Sequence, residues 1–164
     1  MNEYTYIAYN TEFNQEFKFN SLDEYHENLD YFAGLGIETF QFSSRDDELF
    51  NLLKIDQCEI GEYFELLDDV NGSDYARAQC AMLHHSSYNL EGIRAEYENV
   101  ILYVGDSETI AAEMFWDQYG HEVPEHIKCY IDTARFCNDL KCGGEFYEFE
   151  FEGCTYTCTN ANDI

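Results

Sequence analysis

YTYIAYNTEFNQEFKFNSLDEYHENLDYFAGLGIETFQF, Tyr4 to Phe42, is the stretch whose pattern decides the fold. Tyr4 to Tyr9 reads as a strand, and Glu16-Phe17-Lys18-Phe19 alternates polar and apolar residues as a half-buried strand does. The two are expected to pair as a hairpin. Ser21-Leu22-Asp23-Glu24 is a capping box that opens a helix through about Phe32. Gly34 and Gly36 end it, and Ile37 to Phe42 resumes a strand. The pattern predicts a ββαβ unit.

Working outward, Asp46 to Ile55 fits either a short helix or a buried strand, through the cluster Leu49-Phe50-Leu52-Leu53. Glu59 to Val70 carries Ile60, Phe64 and Leu67 at helical spacing and stops at Asn71-Gly72. Ser73 then caps a helix to about His84, and Asn89 starts another. Val100 to Val104 reads as a buried strand, followed by a turn at Gly105-Asp106 and a helix capped by Ser107 that ends at Gly120. This helix is expected to carry Ile110, Met114 and Phe115 on one side. Pro124 begins a further helix at its first turn, and Asp132 caps another. Phe146 to Phe151 and Thr155 to Thr159 alternate on either side of Glu152-Gly153, a hairpin signal. The sum is an α+β chain of three small units in an elongated arrangement: 1–58 as an N-terminal α+β unit, 59–99 as a central helical unit, and 100–164 as a C-terminal α+β unit with a terminal hairpin.

Charge narrows the function. The 164 residues carry 34 Asp and Glu against 8 Lys and Arg, a formal net charge of -26, where a magnitude of about 2–8 serves solubility in a small domain. The chain is also 45% hydrophobic with 14 Tyr and 13 Phe, so it lacks the low hydrophobicity that keeps highly charged chains disordered. The acids are not collected in a tail. Residues 1–60 hold 13 acids and 3 bases, residues 61–103 hold 8 and 2, and residues 104–164 hold 13 and 3. Folding is expected to display them as a patterned polyanion. At one charge per roughly 1.7 Å of B-DNA axis, a net charge of this size corresponds to about 44 Å of duplex, on the order of 13 base pairs.

Other chemistry has weaker signals. Cys137-x4-Cys142 and Cys154-x3-Cys158 have the outline of two halves of a zinc site, with looser spacings than zinc knuckles. Seven cysteines, an odd number, fit reduced thiols, and Cys154, Tyr156 and Cys158 share one face of a strand, where Cys packs as a small apolar residue. The pairs His84-His85 and His121 with His126 lie near acids by chance in so acidic a chain. The P-loop, the dinucleotide fingerprint, H-E-x-x-H, G-x-S-x-G and the EF-hand loop are absent. No catalysis, cofactor or metal is expected. No apolar run reaches membrane length and no secretory leader is seen, so a cytoplasmic protein is expected.

Glu122-Val123-Pro124, Tyr130-Ile131-Asp132, Phe136 and Asp139-Leu140 together resemble the antirestriction ArdA family, whose members carry a Y-I-D-x-x-x-[YF]-x-x-D-L stretch at the corresponding place. Ala81-Met82-Leu83 with His85-Ser86-Ser87, and Tyr6-Ile7-Ala8, are similar to other parts of that family. Thr133, Cys137 and Asn138 depart from it. The resemblance implies a homodimeric, three-domain mimic of bent B-DNA, encoded by phages or mobile elements, that blocks type I restriction–modification enzymes in the host bacterial cytoplasm, with no nucleic acid or membrane bound. The alternatives are mimicry aimed at another defence complex, such as a CRISPR effector or other nuclease, and an acidic metal-binding or scaffold protein.

The acids expected to face the target are Asp23, Glu24, Glu27, Asp30, Asp46, Asp47, Glu48, Glu62, Glu65, Asp68, Asp69, Asp74, Glu91, Glu96, Glu98, Asp106, Glu108, Glu113 and Asp117. Phe115 and Trp116 are adjacent large aromatics that cannot both face their helix's own core. With Tyr119, Val123 and Pro124 they are the expected dimer interface, a place the family resemblance also implies.

Overall fold

In the computed structural model, which describes residues 4–70, 73–84 and 89–164, with Ser73 by its backbone alone, β1 (Tyr6–Asn10) and β2 (Gln15–Phe19) form the expected hairpin. β1 buries every second residue, Tyr6, Ala8 and Asn10, and β2 buries Phe17 and Phe19. Asn10 sits at the edge of this apolar face with both ends of its amide used. Its Nδ2 donates to the Thr39 carbonyl (2.7 Å) and its Oδ1 accepts from the Phe13 N–H (2.7 Å).

α1 (Leu22–Ala33) starts where the capping box places it, with Ser21 Oγ accepting from the Glu24 N–H at 3.2 Å. The Glu24 carboxylate reaches one residue further back than the motif requires and accepts from the Asn20 N–H. β3 (Gln41–Ser44) begins later than the pattern suggests, because Ile37 and Phe40 are used as buried anchors of the loop instead. β3 pairs antiparallel with β1, giving the order β2-β1-β3.

The ambiguous segment after β3 is a helix, α2 (Glu48–Leu53), capped by Asp47. α3 (Ile60–Asp69), α4 (Ser73–His84) and α5 (Leu90–Glu96) follow as expected, and Asn89 Oδ1 caps α5 at the Gly92 N–H. The Asn71-Gly72 stop, the Ser73 side-chain cap and His85 to Ser87 lie outside the described residues. α3 buries Ile60, Tyr63 and Leu66, with Phe64 and Leu67 half-buried.

The chain divides into two compact units, Met1–Ala95 and Glu96–Ile164, where the sequence suggests three. The reason is a shared core. α3 and α4 place Tyr63 and Tyr75 against Asp47 at the head of α2, and the Phe64 ring lies 5.3 Å from that of Tyr6 on β1. The central helices therefore complete the N-terminal unit.

In the second unit β4 (Leu102–Val104), β5 (Tyr147–Phe151) and β6 (Cys154–Cys158) form an antiparallel sheet ordered β4-β6-β5. The β5–β6 hairpin turns at Glu152 (φ 49°) and Gly153 (φ 76°), two left-handed residues as a two-residue hairpin loop requires. β4 is an edge strand, not the buried strand its apolar run suggests: Val104 is 71% and Tyr103 44% exposed.

α6 (Ser107–Tyr119) is capped by Asp106, whose carboxylate takes both the N–H (2.9 Å) and the Oγ1 (2.8 Å) of Thr109. Ser107, the expected cap, is the buried first residue of the helix. Met114 points to solvent; Ile110 and Ala111 face inward and pack with Cys137 and Phe146, flanked by Phe136 and Leu140. No helix forms at Pro124. Single turns closed by Ile127 N–H to Pro124 O and Tyr130 N–H to Ile127 O satisfy that backbone before α7 (Thr133–Cys142), which Asp132 caps. No described helix is long and apolar enough to cross a membrane.

Candidate target-binding surface

Of the 33 acids among the described residues, only Asp47 is buried, and Glu59, Asp74 and Glu96 are half-buried; the other 29 are exposed. Local structure explains the outward display. On α1, Asp23, Glu27 and Asp30 fall on one face, opposite the buried Tyr25 and Phe32. On α3, Glu62, Glu65 and Asp69 form one exposed stripe that runs beside the buried residues Ile60, Tyr63 and Leu66. Along each stripe the helical rise gives one carboxylate per roughly 5 Å of axis, against one phosphate per roughly 3.4 Å along one DNA strand. Neighbouring acids such as Glu24 and Asp68 raise that density. In the second unit Glu108, Glu113 and Asp117 are exposed on α6, beside Asp106, and Glu150 is exposed on β5.

Of the nineteen acids singled out by sequence, sixteen are exposed and Asp74 and Glu96 are half-buried. Asp47 is the correction: it is wholly buried and cannot meet a partner. Its Oδ2 accepts from the hydroxyls of Tyr6 (2.8 Å) and Tyr63 (2.7 Å), and its Oδ1 from the Phe50 N–H (3.0 Å) and the Tyr75 hydroxyl. Burial first, and then neighbouring charge, pushes the ionisation of all three phenols far above the ordinary tyrosine range, so they stay donors. A buried acid reads like an exposed one in sequence. The Tyr partners that distinguish it lie 16 to 41 residues away.

Bases offset little of the field. Arg94 lies 3.5 Å from both Glu65 and Asp69, Arg77 pairs with Asp74 at 3.0 Å, Lys128 with Glu125 at 2.8 Å, and Lys141 stands 3.8 Å from Glu148. The units carry 19 acids against 5 bases up to residue 95 and 15 against 3 after it, net charges of -14 and -12. Glu148, which the sequence did not single out, has a structural task. Its Oε2 accepts from the N–H (2.7 Å) and Oγ (2.6 Å) of Ser107 at the start of α6. Those bonds, helped by Lys141, hold its ionisation below the usual carboxylate range, and the Thr109 bonds do the same for Asp106.

Cys137 and Cys158 are buried while Cys142 and Cys154 are exposed, all as free thiols. Among the described residues no three His, Cys, Asp or Glu side chains converge on a metal-sized space. The aromatics of α6 divide. The Phe115 ring packs within its own unit, 5.4 Å from Phe136, with Trp116 at 5.2 Å and Tyr119 at 5.3 Å. Phe115, Trp116 and Val123 are half-buried, and Tyr119 and Pro124 exposed. No protein-family model, curated protein or solved structure matches this chain.

Proposed function

We propose that this protein is a double-stranded DNA mimic that occupies the DNA-binding groove of a host defence enzyme, a type I restriction–modification complex in the first instance, and so protects incoming phage or mobile-element DNA. The observation that carries the proposal is the outward display of 29 carboxylates on two folded units with so few bases between them. An ordinary solvated surface mixes both signs. Self-repulsion of this size destabilises the compact state, and the field attracts a partner lined with Lys and Arg. The stretch from Glu122 to Leu140, with its likeness to the ArdA family, supports the choice of target. The mechanism is occupancy: carboxylates pair with the cations that otherwise hold phosphate.

The test is displacement of a labelled duplex from purified type I enzyme. Competitive release, with loss of cleavage and no change in the added protein, is expected. Failure to displace duplex from any enzyme recovered on the immobilised protein from a restriction-proficient lysate overturns mimicry. Recovery and displacement at a CRISPR effector keeps mimicry and changes the target.

A further inference from the structure

We propose that β4 is the seam of a two-fold dimer, in which it pairs antiparallel with its own copy about Tyr103 to make a continuous six-stranded sheet. The bonding of β4 to β6 fixes which backbone groups are free. Thr159 N–H donates to the Ile101 carbonyl and Gly105 N–H to the Thr155 carbonyl, and Tyr103 lies opposite Thr157. The alternation of an antiparallel ladder then turns Ile101, Tyr103 and Gly105 toward β6. It turns the N–H and C=O of Leu102 and Val104 outward, where nothing among the described residues bonds to them.

Exposed strand edges are commonly blunted by Lys, Pro, a bulge or a covering element. This one has none of the first three. Residues 99 to 105, Asn-Val-Ile-Leu-Tyr-Val-Gly, carry no charge in a chain of net -26, and Ile101, Tyr103 and Val104 are 49%, 44% and 71% exposed.

The occupant that fits is a second copy. A basic partner gains nothing from an uncharged seam, while the strand is complementary to itself. Antiparallel pairing about Tyr103 sets Leu102 opposite the copy's Val104 and Val104 opposite the copy's Leu102, so all four outward groups on each strand are used. Tyr103 meets its own copy across the axis in the close, non-hydrogen-bonded position. The exposed Ile101 side chain falls opposite Gly105, which has no side chain to oppose it. The seam is short beside a standard interface, so the dimer is reversible and concentration-dependent. The pairing stands whether or not the surface imitates DNA.

Sedimentation of the full chain tests it without any target. Wild type is expected to show a monomer–dimer equilibrium that tightens with salt. Val104→Pro removes an outward N–H that the monomer does not use, and is expected to weaken the dimer about tenfold or more with an unchanged circular dichroism spectrum. Tyr119→Ala, on the α6 face, is expected to leave the dimer intact. Tyr103→Cys, oxidised with diamide, is expected to give a peptide joined to its own copy by a disulfide at that position, read by mass spectrometry, since the two sites are within disulfide reach across the axis. A monomer at all concentrations and salts overturns the proposal. So does a dimer indifferent to Val104→Pro in which Tyr103→Cys yields no such crosslink.

Discussion

Asp47 has no Lys, Arg or His within ion-pair distance among the described residues, and its charge is held by four hydrogen-bond donors instead. Hydrogen bonds to a charged group are worth about 1.5–3 kcal/mol, and a buried donor left without an acceptor costs about 1–3. Asp47→Asn places an NH2 against phenol donors, so it is expected to destabilise the first unit by about 3 kcal/mol, read from urea unfolding. Asp68→Asn, an exposed change of the same chemistry, is expected to stay within about 0.5 kcal/mol; equal losses would remove Asp47 from its central position. The three phenols add a pH limit. Their ionisation is raised in the folded state, so the stability they contribute is complete below the ordinary tyrosine value of about 10 and is lost as pH rises beyond it. Phenolate absorbance is expected to show Tyr6, Tyr63 and Tyr75 ionising only as the first unit unfolds.

At the scale of elements, α6 is held at its N-terminus by a carboxylate from the sheet. Glu148→Gln keeps the size of the side chain but weakens the bonds to Ser107, and is expected to cost the second unit about 1 kcal/mol. Because the Glu148 and Asp106 ionisations are lowered in the fold, their contribution is present above the usual carboxylate range and is lost as pH falls through it. The mutant should therefore lose less stability than wild type between neutral and acid pH; identical acid profiles would count against this role. Gly61, on the first turn of α3 with open space where a methyl group would sit, gives the opposite case: Gly61→Ala is expected to raise stability by about 0.5–1 kcal/mol in thermal unfolding. Much of this scale is legible in sequence, because caps are local: Ser21, Asn89 and Asp132 announce α1, α5 and α7. Asp106 and Ser107 are both capping residues, and only the position of Glu148 on β5 decides between them. The apolar run of β4 looks the same for a buried strand and a free edge. Neither that distinction nor the Asp47 contacts that join the central helices to the first sheet can be found within a few residues of sequence.

Across the whole molecule the same charge acts in opposite directions on the two associations proposed for it. A surface that replaces six to ten phosphate contacts loses about 10³–10⁵ in affinity between 50 and 200 mM salt, if it follows the behaviour of DNA itself. Exposed pairs are worth about 0–1 kcal/mol each, so Asp68→Asn or Glu113→Gln alone should change target binding little. Converting Asp23, Glu24, Glu27 and Asp30 together to amides removes one whole face of α1 from the field. If that face meets the target, the slope of log affinity against log salt should flatten by about 3 to 4, near 0.9 for each contact removed. Self-association runs the other way, because two chains of net charge -26 repel until salt screens them over about 8–10 Å. One salt series, followed by target displacement and by sedimentation, therefore separates the two surfaces. Target binding that weakens while the dimer tightens fits a carboxylate face and a neutral seam. Target affinity independent of salt, or a single exposed amide change that abolishes it, would place the binding energy in a local site and end the case for a distributed polyanion.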